Sequence, residues 1–136
     1  MKLTSLRAVG AFACDDVRME IGNKFTFVGV YGSDLNLPDF PCTLALRIVV
    51  LVDFLEAGPF HFAFRLMHSN GTKIAEIEGN LEAAKAGRGM LPIGPIRITF
   101  AEPGSFALQF QSAPGRWKNV DKWNFEKQSP SPAPTN

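Results

Sequence analysis

Cysteine and histidine are both scarce in this 136-residue chain, two of each. Cys14 and Cys42 have neither the number nor the spacing of a disulfide scaffold or a cysteine-bound zinc, so two free thiols in a reducing compartment are expected. His61 and His68 lie seven positions apart. On one regular strand that odd spacing turns them to opposite faces, where they cannot share a metal. The longest apolar run, Ile48 to Val52, is far short of the roughly 20 residues of a membrane-spanning helix, and no membrane partner is expected. Net charge is +1 with no block of one sign, which gives nucleic acid no long-range pull. A Gly-x-Ser-x-Gly elbow is missing, and Gly22-Asn23-Lys24 and Gly87-Arg88-Gly89 are too short for phosphate loops. The expectation is therefore no catalytic residue, no metal and no cofactor.

The opening MKLTSLRAVGAFAC has the outline of a lipoprotein export signal, with Lys2 and Arg7 in front and Ala13 beside Cys14. Two residues spoil it. Arg7 leaves only AVGAFA as the apolar stretch, under the usual minimum, and Phe12 puts a large ring where a peptidase expects a small side chain. The segment reads instead as a first strand in a cytoplasmic protein, with Cys14 packed as a small hydrophobe.

What the chain does have is phenylalanine: twelve of them, in a composition 46% hydrophobic and 20% charged. Each ring buries about 150–250 Å², so one core can form without staples. The pattern is almost entirely period two. FTFVGVYG places Phe25, Phe27, Gly29 and Tyr31 on one face and Val28 and Val30 on the other, as in a strand covered on both sides. TLALRIVVLVDF alternates Leu44, Leu46, Ile48, Val50 and Val52 with Arg47, Val49 and Leu51, at a length that calls for a bend or bulge. FHFAFRLMH sets Phe60, Phe62, Phe64 and Leu66 against His61, Ala63, Arg65 and Met67, and Ser69-Asn70-Gly71 turns it into KIAEIEGNLE. EAAKAGRG is the one candidate helical turn, or a loop. MLPIGPIRITF, with two prolines and a glycine, reads as an edge strand broken by a bulge. FALQF gives a strand wet on one side, and RWKNVDKWNF a last strand. Residues 1–127 are thus expected to form one domain, followed by a disordered Ser/Pro-rich tail over 128–136.

About seven or eight short strands at turn spacings of about 8–12 residues, with at most one short helix, predict an all-β fold: a single antiparallel β-sandwich, immunoglobulin-like. The run Glu102-Pro103-Gly104-Ser105-Phe106-Ala107-Leu108 supports that version, having the acid-x-Gly-x-aromatic-x-apolar spacing that leads into the penultimate strand of such folds. Phe106 lacks the hydroxyl of a tyrosine corner, so that hydrogen bond cannot form.

DDVRMEIGNKFTFVGVYG followed by LNLPDFP resembles a family of short, functionally uncharacterised bacterial proteins. The resemblance rests on Asp15, Asp16, Arg18, Gly22, Lys24, Gly29, Tyr31, Gly32, Pro38 and Pro41, then on Pro103, Gly104 and Phe106. It implies a bacterial, cytoplasmic β-sandwich and brings no activity and no catalytic residue.

Asp15, Asp16, Arg18, Asn23 and Lys24 concentrate polar groups at the exit of the first strand. They form either a binding rim for a polar partner or a set of turn caps and exposed ion pairs worth under about 1 kcal/mol. Glu76 and Glu78 share a strand face about 7 Å apart, a glycosidase-like separation that a solvated face explains as well. In GRWKNVDKWNFEK, the aromatics Trp117, Trp123 and Phe125 fall on one face of a regular strand, among Arg116, Lys118, Lys122 and Lys127. They either cover the core or stack nucleic-acid bases, and the core role is preferred.

The reading that results is a small non-catalytic binding or protein-interaction module. Its partner is a protein of unknown identity, recruited by strand addition or packing, with the MLPIGPIRI edge as candidate docking strand. Homodimerisation through an edge stays open. The competing class is a small-ligand binder or enzyme whose site is assembled from separated residues around His61 and Arg65.

Overall fold

A computed structural model describes residues 6–22 and 24–129 and resolves the alternation into β1 (Leu6–Glu20), β2 (Lys24–Val30), β3 (Asp34–Leu37), β4 (Cys42–Phe54), β5 (Gly58–His68), β6 (Lys73–Ala83), β7 (Gly87–Phe100), β8 (Gly104–Ala113) and β9 (Arg116–Lys127). These are nine strands among the described residues, not seven or eight, and no helix occurs among them. The additional strand is DLNL, only four residues long, with Leu35 and Leu37 buried and Asp34 and Asn36 exposed. EAAKAGRG is a strand-to-strand connection: Ala83 still pairs with Gly58 and is buried, and Gly87 already begins β7. The expected tail lies mostly outside the described residues, as does the start of the export-like segment.

The strands form two sheets, one ordered β2-β1-β4-β7 and the other β3-β9-β8-β5-β6. All neighbours are antiparallel except β3 and β9, which run parallel. Between the sheets lie the predicted alternating residues: Leu46, Ile48, Val50 and Val52 from β4, Phe60, Phe64 and Leu66 from β5, and Phe106, Leu108 and Phe110 from β8, all buried. Phe100 and Phe125 pack with ring centroids 4.4 Å apart, and Phe106 stacks on Trp123 at 5.2 Å. Aromatic pairs in these geometries add about 0.5–1.5 kcal/mol each beyond the area they bury.

The broken edge strand is where the sequence puts it. β7 closes one edge of the four-stranded sheet, and its register against β4 slips between the pairs Leu46–Ile96 and Ile48–Ile93. The surplus falls at Gly94-Pro95, where Gly94 takes φ +112° and a Cβ would lie 2.9 Å from the Leu46 carbonyl oxygen. Only glycine fits that bulge.

Two expectations fail. β2 is not covered on both sides: it is an edge strand, with Val28 and Val30 exposed. Nor do the three C-terminal aromatics share a face. The β8–β9 register slips between the pairs Leu108–Asp121 and Gln109–Asn119, so Trp123 and Phe125 enter the core while Trp117, opposite Gln111, turns outward.

Candidate functional site

Of the five polar residues chosen from the sequence, Asp15, Asp16, Arg18 and Lys24 are described. Beyond Cys14, β1 loses its β4 partner and continues with β2 alone as a two-stranded arm. Asp15 faces the end of β2, and its carboxylate accepts a hydrogen bond from the Tyr31 hydroxyl at 2.5 Å. It fills the space over Gly29, whose φ is +65° and where any Cβ would collide with the carboxylate. Asp16 turns the other way. It caps the Val17 amide at 2.9 Å and sits 3.4 Å from both Arg18 and Arg47. Lys24 is at the arm tip, in register with Glu20. Asn23 lies outside the described residues.

Around this arm the outer face of the four-stranded sheet is apolar, a feature the sequence reading missed. Cross-strand register places Val30 beside Cys14 and Arg47, Phe12 beside Val49 and Pro92, and Leu51 beside Met90. Directly paired residues share a face, and the alternate β4 residues fill the core, so this set points outward. Val9 is 53% exposed, Val30 55% and Met90 42%. Val9, Leu51, Val52 and Met90 line a groove of about 260 Å³, rimmed by Arg88. At the arm tip Met19 is 74% and Ile21 96% exposed. Phe27 on the arm stands edge-on to Phe12 at 4.8 Å. Beneath the surface residues Cys14 and Val49 are fully buried without joining the central core.

The outer face of the five-stranded sheet is the opposite in kind. Arg65 Nε donates to Gln109 Oε1 at 2.7 Å, Gln109 Nε2 donates to Asn119 Oδ1 at 2.8 Å, and the Arg65 guanidinium lies 4.3 Å over the Trp117 ring. His61 Nδ1–H donates to Asn80 Oδ1 at 3.2 Å, with Glu78 at 3.5 Å from its other nitrogen. Glu76 is taken by Lys73 at 2.6 Å. His61 and Arg65 therefore share a face, each committed to its own neighbours. His68 is turned the other way, its ring 5.5 Å from Phe125 and its Nδ1 accepting from the Asn70 amide at 3.0 Å. No group of three metal-type ligands occurs among the described residues. A second cleft, about 310 Å³, opens where the β5–β6 turn meets the end of β7, lined by His68, Asn70, Thr72, Arg97, Thr99 and Glu102 among others.

Cys14 and Tyr31 titrate abnormally, and both shifts favour a proton kept in place. Burial pushes the Tyr31 phenol up to about 12, aided by its hydrogen bond to Asp15. Burial, then the Asp15 charge, raises the Cys14 thiol, while Arg47 pulls the other way. A thiol held neutral and out of solvent is a poor nucleophile, and a phenol near 12 is no base at neutral pH.

A model of a family of unknown function, DUF6941, matches residues 10–112. The chain belongs to this family. The DUF6941 match takes in β2 to β7 whole and most of β1 and β8, so the arm, the apolar face and the groove all fall within it apart from Val9, while β9 lies beyond. No curated protein matches the chain. DUF6941 membership thus gives this fold a family without assigning an activity to any residue.

Proposed function

We propose that the chain is an immunoglobulin-like sandwich of the bacterial cytoplasm, working as a non-catalytic protein-interaction module whose contact surface is the outer face of the four-stranded sheet and its arm. Strand order supports the topology: β1-β4-β7 packs against β9-β8-β5-β6, with hairpins β5–β6 and β8–β9 in the second sheet. This order resembles the A-B-E against G-F-C-C′ arrangement of such sandwiches. Two unbridged cysteines support a reducing compartment. One observation carries the contact role. Val9, Val30, Leu51 and Met90 leave apolar surface open on a sheet whose other face is already satisfied by the core, and contiguous exposed apolar patches mark interaction sites. Affinity capture from the native host tests the reading, comparing wild type with Leu51→Arg and with Glu76→Gln on the polar face. A partner kept by wild type and Glu76→Gln and lost by Leu51→Arg is the expected result. Binding indifferent to Leu51→Arg overturns it.

A further inference from the structure

We propose that the second half of β7, Ile96 to Phe100, is a docking edge for an extended peptide, which adds as an antiparallel strand in the cleft of about 310 Å³ and presents a basic side chain to Glu102 and an acidic one to Arg97. This site is separate from the outer-face contact above and does not depend on it. β7 is the last strand of the four-stranded sheet, so alternate backbone N–H and C=O groups along it have no ladder partner. β6 is likewise last in the five-stranded sheet. The cleft opens between the end of the one and the start of the other, lined by Arg97 to Glu102 from the β7 side and by Asn70, Thr72 and Ile74 from the β6 side.

The two halves of this edge differ in their defences. Met90 to Pro95 carries the devices that keep natural edges from pairing: Pro92 and Pro95 have no N–H to offer, and Gly94 makes the bulge. Ile96 to Phe100 carries none of them and keeps an unbroken register with β4, from the pair Leu46–Ile96 to the pair Cys42–Phe100. The Thr99 and Thr43 hydroxyls share a hydrogen bond at 2.9 Å, which ties the open stretch to the strand behind it. Of the MLPIGPIRI docking strand, only the last three residues thus stay open to pairing, and the regular edge runs on past them.

The turn side of the cleft is preformed. The His68 amide donates to the Thr72 carbonyl at 2.8 Å, the Asn70 amide to His68 Nδ1 at 3.0 Å and the Thr72 amide to Asn70 Oδ1 at 2.8 Å. A peptide entering here orders only itself, which lowers the cost of binding. Charge sets the chemistry of the occupant. Arg97 and Glu102 both line the cleft, both are exposed, and neither has an ion-pair partner among the described residues. Their separation is up to about 17 Å along an extended chain, the length of about five strand residues. Antiparallel pairing, the more stable kind, brings a peptide's first residues to Glu102 and its last to Arg97, so a basic start and an acidic end match both charges and fix the register. Ile98 and Phe100, between the two, and Ile74 add apolar lining.

The test is a titration of the isotope-labelled full chain with the blocked peptide acetyl-Lys-Val-Thr-Val-Thr-Glu-amide, followed by amide NMR shifts. Binding with a Kd of about 1 mM or tighter is expected, with the largest shifts at Ile96 to Ala101 and Asn70 to Ile74. The same peptide N-methylated at its four central residues keeps its charges but cannot pair as a strand, and should bind about tenfold more weakly or worse. Arg97→Glu should weaken binding about fivefold or more, and a peptide ending in Lys in place of Glu should recover it. Arg97 is exposed, so an unchanged thermal melt confirms that the variant folds. The absence of shifts at about 5 mM peptide overturns the docking edge, as do shifts confined to other surfaces, equal binding of the methylated peptide, or indifference to Arg97→Glu. Leu51→Arg separates the two sites. Peptide binding lost in Leu51→Arg overturns the edge and leaves the outer-face reading standing, whereas cleft binding together with partner capture indifferent to Leu51→Arg upholds the edge and overturns that reading.

Discussion

The two sheets present outer faces of opposite character, though both come from strands with the same alternation. On the five-stranded sheet the outward positions are Arg65, Gln109, Asn119 and Trp117, joined in one chain of hydrogen bonds and ring contact, with His61, Glu78 and Asn80 alongside. That face satisfies itself and water. On the four-stranded sheet the apolar outward positions are Phe12, Val30, Leu51 and Met90, set among Arg47, Asp53 and Thr43, which are paired with Asp16, Arg88 and Thr99. A buried residue underlies each: Ala63 below the polar face, Val49 and Cys14 below the apolar one, all outside the central core. The difference teaches that alternation specifies two faces, while their chemistry decides how much apolar surface each leaves open.

The strongest way to break the comparison is Val49→Asp, which puts an unpaired carboxylate beneath the apolar face. It should cost about 3–5 kcal/mol in urea denaturation, whereas Leu51→Arg, on the same face but open to water, should leave stability unchanged within about 0.5 kcal/mol. Gly29→Ala attacks the hinge between face and arm. With φ +65° and the Asp15 carboxylate in the way, it should cost about 1–3 kcal/mol by the same measurement. On the polar face, Arg65→Ala removes both the bond to Gln109 and the cover on Trp117, for about 1–2 kcal/mol and a rise in indole accessibility to acrylamide quenching.

A smaller effect is read by pH. The folded Tyr31 phenol titrates near 12 against an ordinary 10.0, so its contribution is complete below pH 10 and is lost as pH rises through about 12. Denaturation midpoints should fall across that window in wild type and fall less in Tyr31→Phe. Cys14, whose thiol is also raised from 9.0, contributes to the fall left in the variant. Smallest of all, Glu78→Gln should change stability by less than about 0.5 kcal/mol, since its pair with His61 is exposed.

Most of the core was legible in the sequence, because Phe60, Phe64, Phe106 and Leu108 alternate with polar or small residues and have only one place to go. The bulged edge at MLPIGPIRI was legible for a related reason: proline and glycine forbid a regular inner strand. β2 was not. An exposed apolar residue is spelled like one already buried, so FTFVGVYG read as covered on both sides. Trp117 escaped because the slip that reverses it belongs to the pairing of β9 with β8, and no spacing inside β9 records it. Among the proposed site residues, Asp15 and Asp16 were correctly seen as adjacent, but adjacency on a strand separates side chains to opposite faces, and the supports that fix them, Tyr31, Gly29 and Arg47, come from other parts of the chain.

The parallel pairing of β3 with β9 has one more consequence, for how the chain is made. Leu35 and Leu37 are buried only when the last strand lies beside them, and Asn124 and Gln128 donate their amides back to Ser33 and Leu37. A nascent chain must therefore carry β3 unsatisfied until β9, 90 residues further on, has been made and can lie beside it.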